Sequence, residues 1–171
     1  MKKVIFLDID GVLNSDFWND THQKELSDGT LIDVEKVGLL GMLVRNTGAG
    51  IILHSGWRFW FDDEMKPLCK EAQRLNDMLN AEGISLLGKT PDYSTEEIRK
   101  TKKFSLVKAE EIMSWLKQHS EVEQWVVLDD LDLHSEIIAK HQIRTDSSMG
   151  LTVEETEKAK NMLGANNDRL H

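Results

Sequence analysis

The 171-residue sequence has one cysteine and two prolines, and no long apolar run. A single cysteine excludes an internal disulfide framework and fits a reducing compartment, so a cytoplasmic setting is expected. Cys69 falls in a helical pattern and reads as a packing residue. With so little proline and no biased tract, a disordered region is not expected. No apolar run approaches the ~20 residues that a bilayer-spanning helix needs, so no membrane partner is expected. The N-terminus leads straight into a strand-like run, without signal-peptide organisation. No cluster of histidine and cysteine exists to hold zinc. Positive charge is also short, with a net charge of −9. Tight nucleic-acid binding is therefore not expected, although a divalent metal and a few placed cations would still let an anionic protein act on small phosphorylated substrates.

What the chain does have is a repeated device: an apolar run that ends in small or acidic residues. Val4 to Leu7 is unbroken and apolar, as suits a strand buried on both faces of a parallel sheet, and it ends in Asp8-Ile9-Asp10-Gly11. Carboxylates at i and i+2 leave a strand on one side, and Gly11 lets the backbone turn away. Two like charges at the edge of an apolar core are costly without a compensating cation. The run recurs as Ala49 to Leu53 before His54-Ser55-Gly56, and as Gln124 to Leu128 before Asp129 and Asp130.

Between these runs the periodicity turns helical. Leu31–Arg45, closed by Gly48, Met65–Glu82, closed by Gly83, and Leu106–His119 are the expected helices. Ile84–Leu87 and Gln142–Thr145 are expected as short strands. Thr152 with Glu155 forms a capping box that opens a last helix to about Leu163, and 166–171 reads as a frayed tail. This alternation predicts a single α/β domain over 1–171, a three-layer α/β/α Rossmann-like fold with a central parallel sheet. In such sheets ligands bind beyond the carboxyl ends of the strands, where the acidic turns fall. Segment 15–30, with Phe17 and Trp18, is expected as a flap and 88–104 as a surface loop near the site. Neither is large enough to form a full cap domain.

The segments FLDIDGVLN, IILHSGWR, VKAEEI and WVVLDD, taken together, resemble the haloacid dehalogenase superfamily of phosphohydrolases. The pieces GVLN, SGWR, WVVLDD and RTD…GLT are similar to a subgroup related to the phosphatase-like domain of multidomain bacterial RNA-repair proteins. The resemblance implies a Mg²⁺-dependent phosphatase that works through an aspartyl-phosphate. Asp8 would be the nucleophile and Asp10 the general acid and base. Ser55 would bind a phosphoryl oxygen, with backbone N–H groups such as that of Gly56 adding donors. Lys108 would offset charge on the nucleophile and the phosphoryl group, with Lys100, Lys102 and Lys103 as nearby alternatives. Asp8, Asp129, Asp130 and the backbone carbonyl of Asp10 would hold Mg²⁺, with Asp132 a weaker candidate that also suits a cap.

Other residues carry two readings each. Arg58 suits either a second phosphate or a salt bridge to a surface acid. Trp18, Trp57 and Trp60 suit either an apolar wall for a base or sugar, or packing between loop and core. His54 reads as a packed or supporting histidine rather than a base. Arg99–Lys103 is the one local basic patch and reads first as a solvated face. Three alternatives to a small-molecule phosphatase follow: a polynucleotide end phosphatase, a receiver-like phospho-accepting domain, and a non-catalytic binding module.

Overall fold

The computed structural model describes residues 1–16, 23–25 and 31–165. Phe17, Trp18, most of the 15–30 flap and the 166–171 tail lie outside the described residues. In chain order the elements begin with β1 (Lys3–Leu7), β2 (Gln23–Glu25), β3 (Leu31–Asp33), α1 (Val34–Thr47) and β4 (Gly50–Leu53). A short 3-10 helix (Gly56–Trp60) precedes α2 (Lys70–Ala81), β5 (Leu86–Lys89), α3 (Glu96–Thr101) and α4 (Ser105–Lys117). The chain then forms β6 (Gln124–Asp129), α5 (Glu136–Ala139), β7 (Gln142–Arg144) and α6 (Val153–Leu163).

Five strands make one parallel sheet in the order β5-β4-β1-β6-β7. The unbroken apolar run of β1 follows from its central place, because alternate side chains serve opposite layers. Ile5 and Leu7 pack with α1, α2 and α6, through Val37, Leu40, Leu75 and Leu163. Val4 and Phe6 pack with Ile112 and Trp115 of α4 and Ile138 of α5. Phe6 meets Trp115 and Trp125 edge-on, with ring centroids 5.4 and 6.0 Å apart. This is the expected three-layer fold. Strand order reverses at β1: the chain first builds outward through β4 and β5, then returns to β6 on the other side. The tips of β1, β4 and β6 therefore meet at the switch point of the sheet.

Four elements differ from their expected form, the first being the short strand expected at Ile84–Leu87, which forms two residues later as β5 and pairs Lys89 with Leu53. The helix expected from Leu31 starts at Val34, because Asp33 caps it by accepting from the Glu35 N–H, and Leu31–Asp33 pairs with β2 instead. The helix expected from Met65 starts at Lys70. Before it, Asp62 accepts from the Glu64 and Lys66 N–H groups, Met65 adopts φ 61°, and Pro67 bridges to Phe61, all incompatible with helix. The 88–104 surface segment holds one short helix, α3, capped by Thr95 and with none of its residues buried. The capping box at Thr152 and Glu155 and the left-handed Gly48 cap form as expected.

Candidate active site

The β1 tip is built to be rigid. Gly11 sits at φ +83°, and a Cβ there would lie 2.5 Å from Asp130 Cγ, so both the backbone and the neighbouring tip require glycine. The successive carbonyls of Gly11, Val12 and Leu13 accept bonds from Thr145 Oγ1, the Leu151 N–H and the Asp33 N–H. Two separate segments, the β7–α6 connection and the end of β3, thus fix the loop that follows Asp8 and Asp10.

Carboxylate oxygens of Asp8, Asp129 and Asp130 lie within 4.8 Å of one another. Lys108 enters from α4 and places Nζ 2.6 Å from Asp129 Oδ2 and 3.7 Å from Asp8 Oδ2. Asp129 Oδ1 accepts from the Leu131 N–H. Among the competing lysines, Lys100 pairs with Glu96 on the surface, while Lys102 lines the cavity above the acids. Burial pushes the Asp8 carboxyl well above its ordinary range; Lys108 pulls it back, but Asp129, Asp130 and Asp10 push it further up. Burial and then Asp129 raise Asp130 as well. Burial alone would lower the Lys108 ammonium, yet Asp8 and Asp129 carry it above its ordinary value. One ammonium facing three clustered carboxylates leaves negative charge in excess. Hard oxygen donors in such a group fit a divalent cation such as Mg²⁺.

Asp10 is exposed, outside the group of three side chains. Its Oδ1 accepts from Asn14 Nδ2 at 2.9 Å and its Oδ2 from Trp57 Nε1 at 3.3 Å. Ser55 caps the 3-10 helix by accepting from the Trp57 N–H, leaving the hydroxyl hydrogen to donate elsewhere. A cavity of about 340 Å³ opens over Asp8, Asp10, Ser55, Gly56, Lys108 and Asp130, within the range of small-ligand sites. Phe59, Phe104 and Leu131 add exposed apolar surface to its walls.

Arg58 lines the same cavity but is buried, and Nη2 meets Glu111 Oε2 at 2.8 Å. Its Nη1 donates to the Ser55 carbonyl. Arg58 thus has a buried acid partner on α4 that was not expected, and the surface acid that was expected is Asp92, whose Oδ1 lies 3.9 Å from the same Nη2. Burial raises the Glu111 carboxyl, with the Tyr93 N–H and Arg58 pulling it back down. Glu111 is a residue that sequence reasoning missed, although its spacing of three from Lys108 puts both on one helix face. Trp57 is buried and absent from the cavity lining; Trp60 packs on it at 4.9 Å. Buried His54 pairs its Nδ1 with Thr90 Oγ1 at 2.8 Å. Burial, Lys108 and Arg58 together hold its imidazole well below the usual histidine range, as befits a packed neutral histidine. Asp132 accepts from the His134 N–H on the surface, outside the acid cluster.

A parallel sheet whose switch point joins an Asp-x-Asp tip, a serine tip and an acidic pair through a buried lysine is the architecture of the haloacid dehalogenase superfamily. Within it, the chain belongs to the family described as the HAD domain in Swiss Army Knife RNA repair proteins, whose model matches residues 4–156, from β1 into the first turn of α6. Comparison with the curated proteins and with the solved structures finds no match.

Proposed function

We propose that the protein is a Mg²⁺-dependent phosphomonoesterase that uses Asp8 as its nucleophile. The observation that carries this reading is the approach of the Asp8, Asp129 and Asp130 carboxylates to within 4.8 Å beside Lys108. An Asp8 oxygen attacks phosphorus and the ester P–O bond breaks, while Asp10 gives its proton to the departing oxygen. Asp10, now a carboxylate, takes a proton from the water that attacks the aspartyl-phosphate, which releases inorganic phosphate and restores Asp8. The Ser55 hydroxyl and the Gly56 N–H donate to phosphoryl oxygens, and Lys108 steadies charge between Asp8 and Asp129. Bound by Asp8, Asp129, Asp130 and the Asp10 carbonyl, Mg²⁺ would supply positive charge against the phosphoryl oxygens. Arg58, already committed to Glu111, supports the Ser55 turn as well as lining the cavity.

The test is hydrolysis of p-nitrophenyl phosphate. Activity should need Mg²⁺, vanish with EDTA and return on adding Mg²⁺, and be abolished by Asp8→Asn in a protein that still folds. Activity indifferent to chelator, or full activity in D8N, refutes the assignment. A second reading, a polynucleotide end phosphatase, is favoured by the family's description as a domain of RNA repair proteins. Preferential phosphate release from an oligonucleotide terminus over a mononucleotide would select it.

A further inference from the structure

Trp57 and Asn14 grip Asp10 from two directions, and this arrangement has no need of substrate to explain it. The indole of Trp57 is buried with the rest of its side chain, and its one polar atom donates to Asp10 Oδ2. Asn14 donates from Nδ2 to Asp10 Oδ1, and its Oδ1 accepts from the Gly11 N–H at 2.9 Å. Each oxygen of the Asp10 carboxyl therefore has its own donor, and the plane of the group is set by two residues 43 positions apart in sequence. One belongs to the β1 loop that carries Asp8. The other belongs to the 3-10 helix whose cap is Ser55. A carboxyl on an exposed loop position would otherwise rotate about its last torsion, which has broad minima.

We propose that Trp57 and Asn14 are positioning residues that aim the Asp10 carboxyl at the leaving-group oxygen, so that their loss impairs proton delivery and not phosphoryl attack. This rests on the phosphatase reading above. In the step concerned, the Asp8 oxygen bonds to phosphorus, the P–O ester bond breaks, and the proton on Asp10 moves to the departing oxygen. An oxygen has two lone pairs, so the one carrying that proton can still accept its bond from Trp57 or Asn14. Because the 3-10 helix also presents Ser55, the acid and a phosphoryl donor are held by one rigid unit. The Trp57 substrate-wall reading assigns the indole to a face that the cavity does not reach; the Asp10 bond accounts for both its burial and its polar atom.

The experiment compares kcat/KM for two probes, phenyl phosphate and p-nitrophenyl phosphate, in the wild type, Asp10→Asn, Trp57→Phe and Asn14→Asp. Phenol, with a pKa of about 10 like tyrosine, needs a proton to leave, whereas p-nitrophenolate leaves far more readily without one. Trp57→Phe keeps the ring packed on Trp60, and Asn14→Asp keeps the acceptor for Gly11 while removing the donor. The expected result is a loss of about tenfold or more on phenyl phosphate and severalfold less on p-nitrophenyl phosphate, a smaller version of the imbalance in Asp10→Asn. Equal losses on both probes, or losses that follow the fall in Tm, would mean that Trp57 and Asn14 serve only the fold, and the inference fails alone. Absence of hydrolysis of either probe by the wild type would overturn the phosphatase reading and this inference with it.

Discussion

Replacing Asp8 by asparagine removes one charge from a cluster that already has too much of one sign, and its effect on stability can be worked from the distances. At an effective dielectric of about 20, carboxylate oxygens 4.8 Å apart repel by about 3.5 kcal/mol, so Asp129 and Asp130 together oppose a charged Asp8 by about 7 kcal/mol. Lys108, at 3.7 Å, returns about 4.5 kcal/mol. The balance is unfavourable by roughly 2–3 kcal/mol before the cost of burying the carboxylate is added. The metal-free D8N protein should therefore be more stable than the metal-free wild type. At about 2–4 °C of Tm per kcal/mol for a chain of this size, a gain of about 5–10 °C is expected at pH 8.

The pH dependence has a definite sign. A carboxyl raised in the fold binds its proton more tightly folded than unfolded. Its favourable contribution is present below the ordinary aspartate pKa and is lost as pH rises through the raised folded value. Wild type should thus weaken with rising pH relative to D8N, and the gap between them should shrink as the pH is lowered toward 4. Mg²⁺ should reverse the order, raising the Tm of the wild type by mass action and that of D8N much less. Differential scanning fluorimetry across pH, with EDTA or Mg²⁺, reads all three effects. A metal-free D8N protein several degrees less stable than the wild type at pH 8 would refute the charge-excess reasoning.

Lys108→Met leaves Asp129 buried and without its ammonium, so it should cost about 3–5 kcal/mol in urea unfolding, part of it recovered by Mg²⁺; no measurable cost would contradict the pairing. His54 is held neutral in the fold, so below about pH 6.5 the unfolded chain gains a proton that the folded one resists. Stability should then fall by up to about 1.4 kcal/mol per pH unit more in the wild type than in His54→Asn, and parallel unfolding profiles would show otherwise. Gly11→Ala forces a Cβ into Asp130 and a left-handed backbone onto alanine, which costs about 1–2 kcal/mol for the backbone alone. It should also weaken Mg²⁺ binding by about tenfold or more in titration calorimetry, and unchanged affinity would separate Gly11 from the acid cluster.

The parts of this site that could be read from sequence are those announced by a local pattern. Asp8, Asp129 and Ser55 each terminate an apolar run, and a parallel sheet carries all such ends to one edge, so their meeting followed from the strand order. Lys108 is favoured in the sequence through the VKAEEI resemblance alone, since three other lysines stand within eight residues of it; the path of α4 is what brings its Nζ to Asp129. The partners of Arg58 and Asp10 were beyond local reading altogether. Glu111 lies 53 residues from Arg58, and Trp57 lies 47 from Asp10, with no periodicity linking either pair.

The same distinction accounts for the helix boundaries. Apolar spacing continued through Leu31 and Met65, but a side-chain cap at Asp33 and a turn at Asp62–Lys66 offered the backbone better partners than one more helical turn. Strand tips are placed by the pattern of burial, while the orientation of the groups on them depends on hydrogen bonds between distant segments. The orientation of Asp10, which the proposed mechanism makes the proton donor, depends on the second kind of information. Trp57, for which the sequence leaves a substrate wall and packing both open, and Asn14 and Glu111, to which it gives no role, are the residues whose side chains bond Asp10 and Arg58.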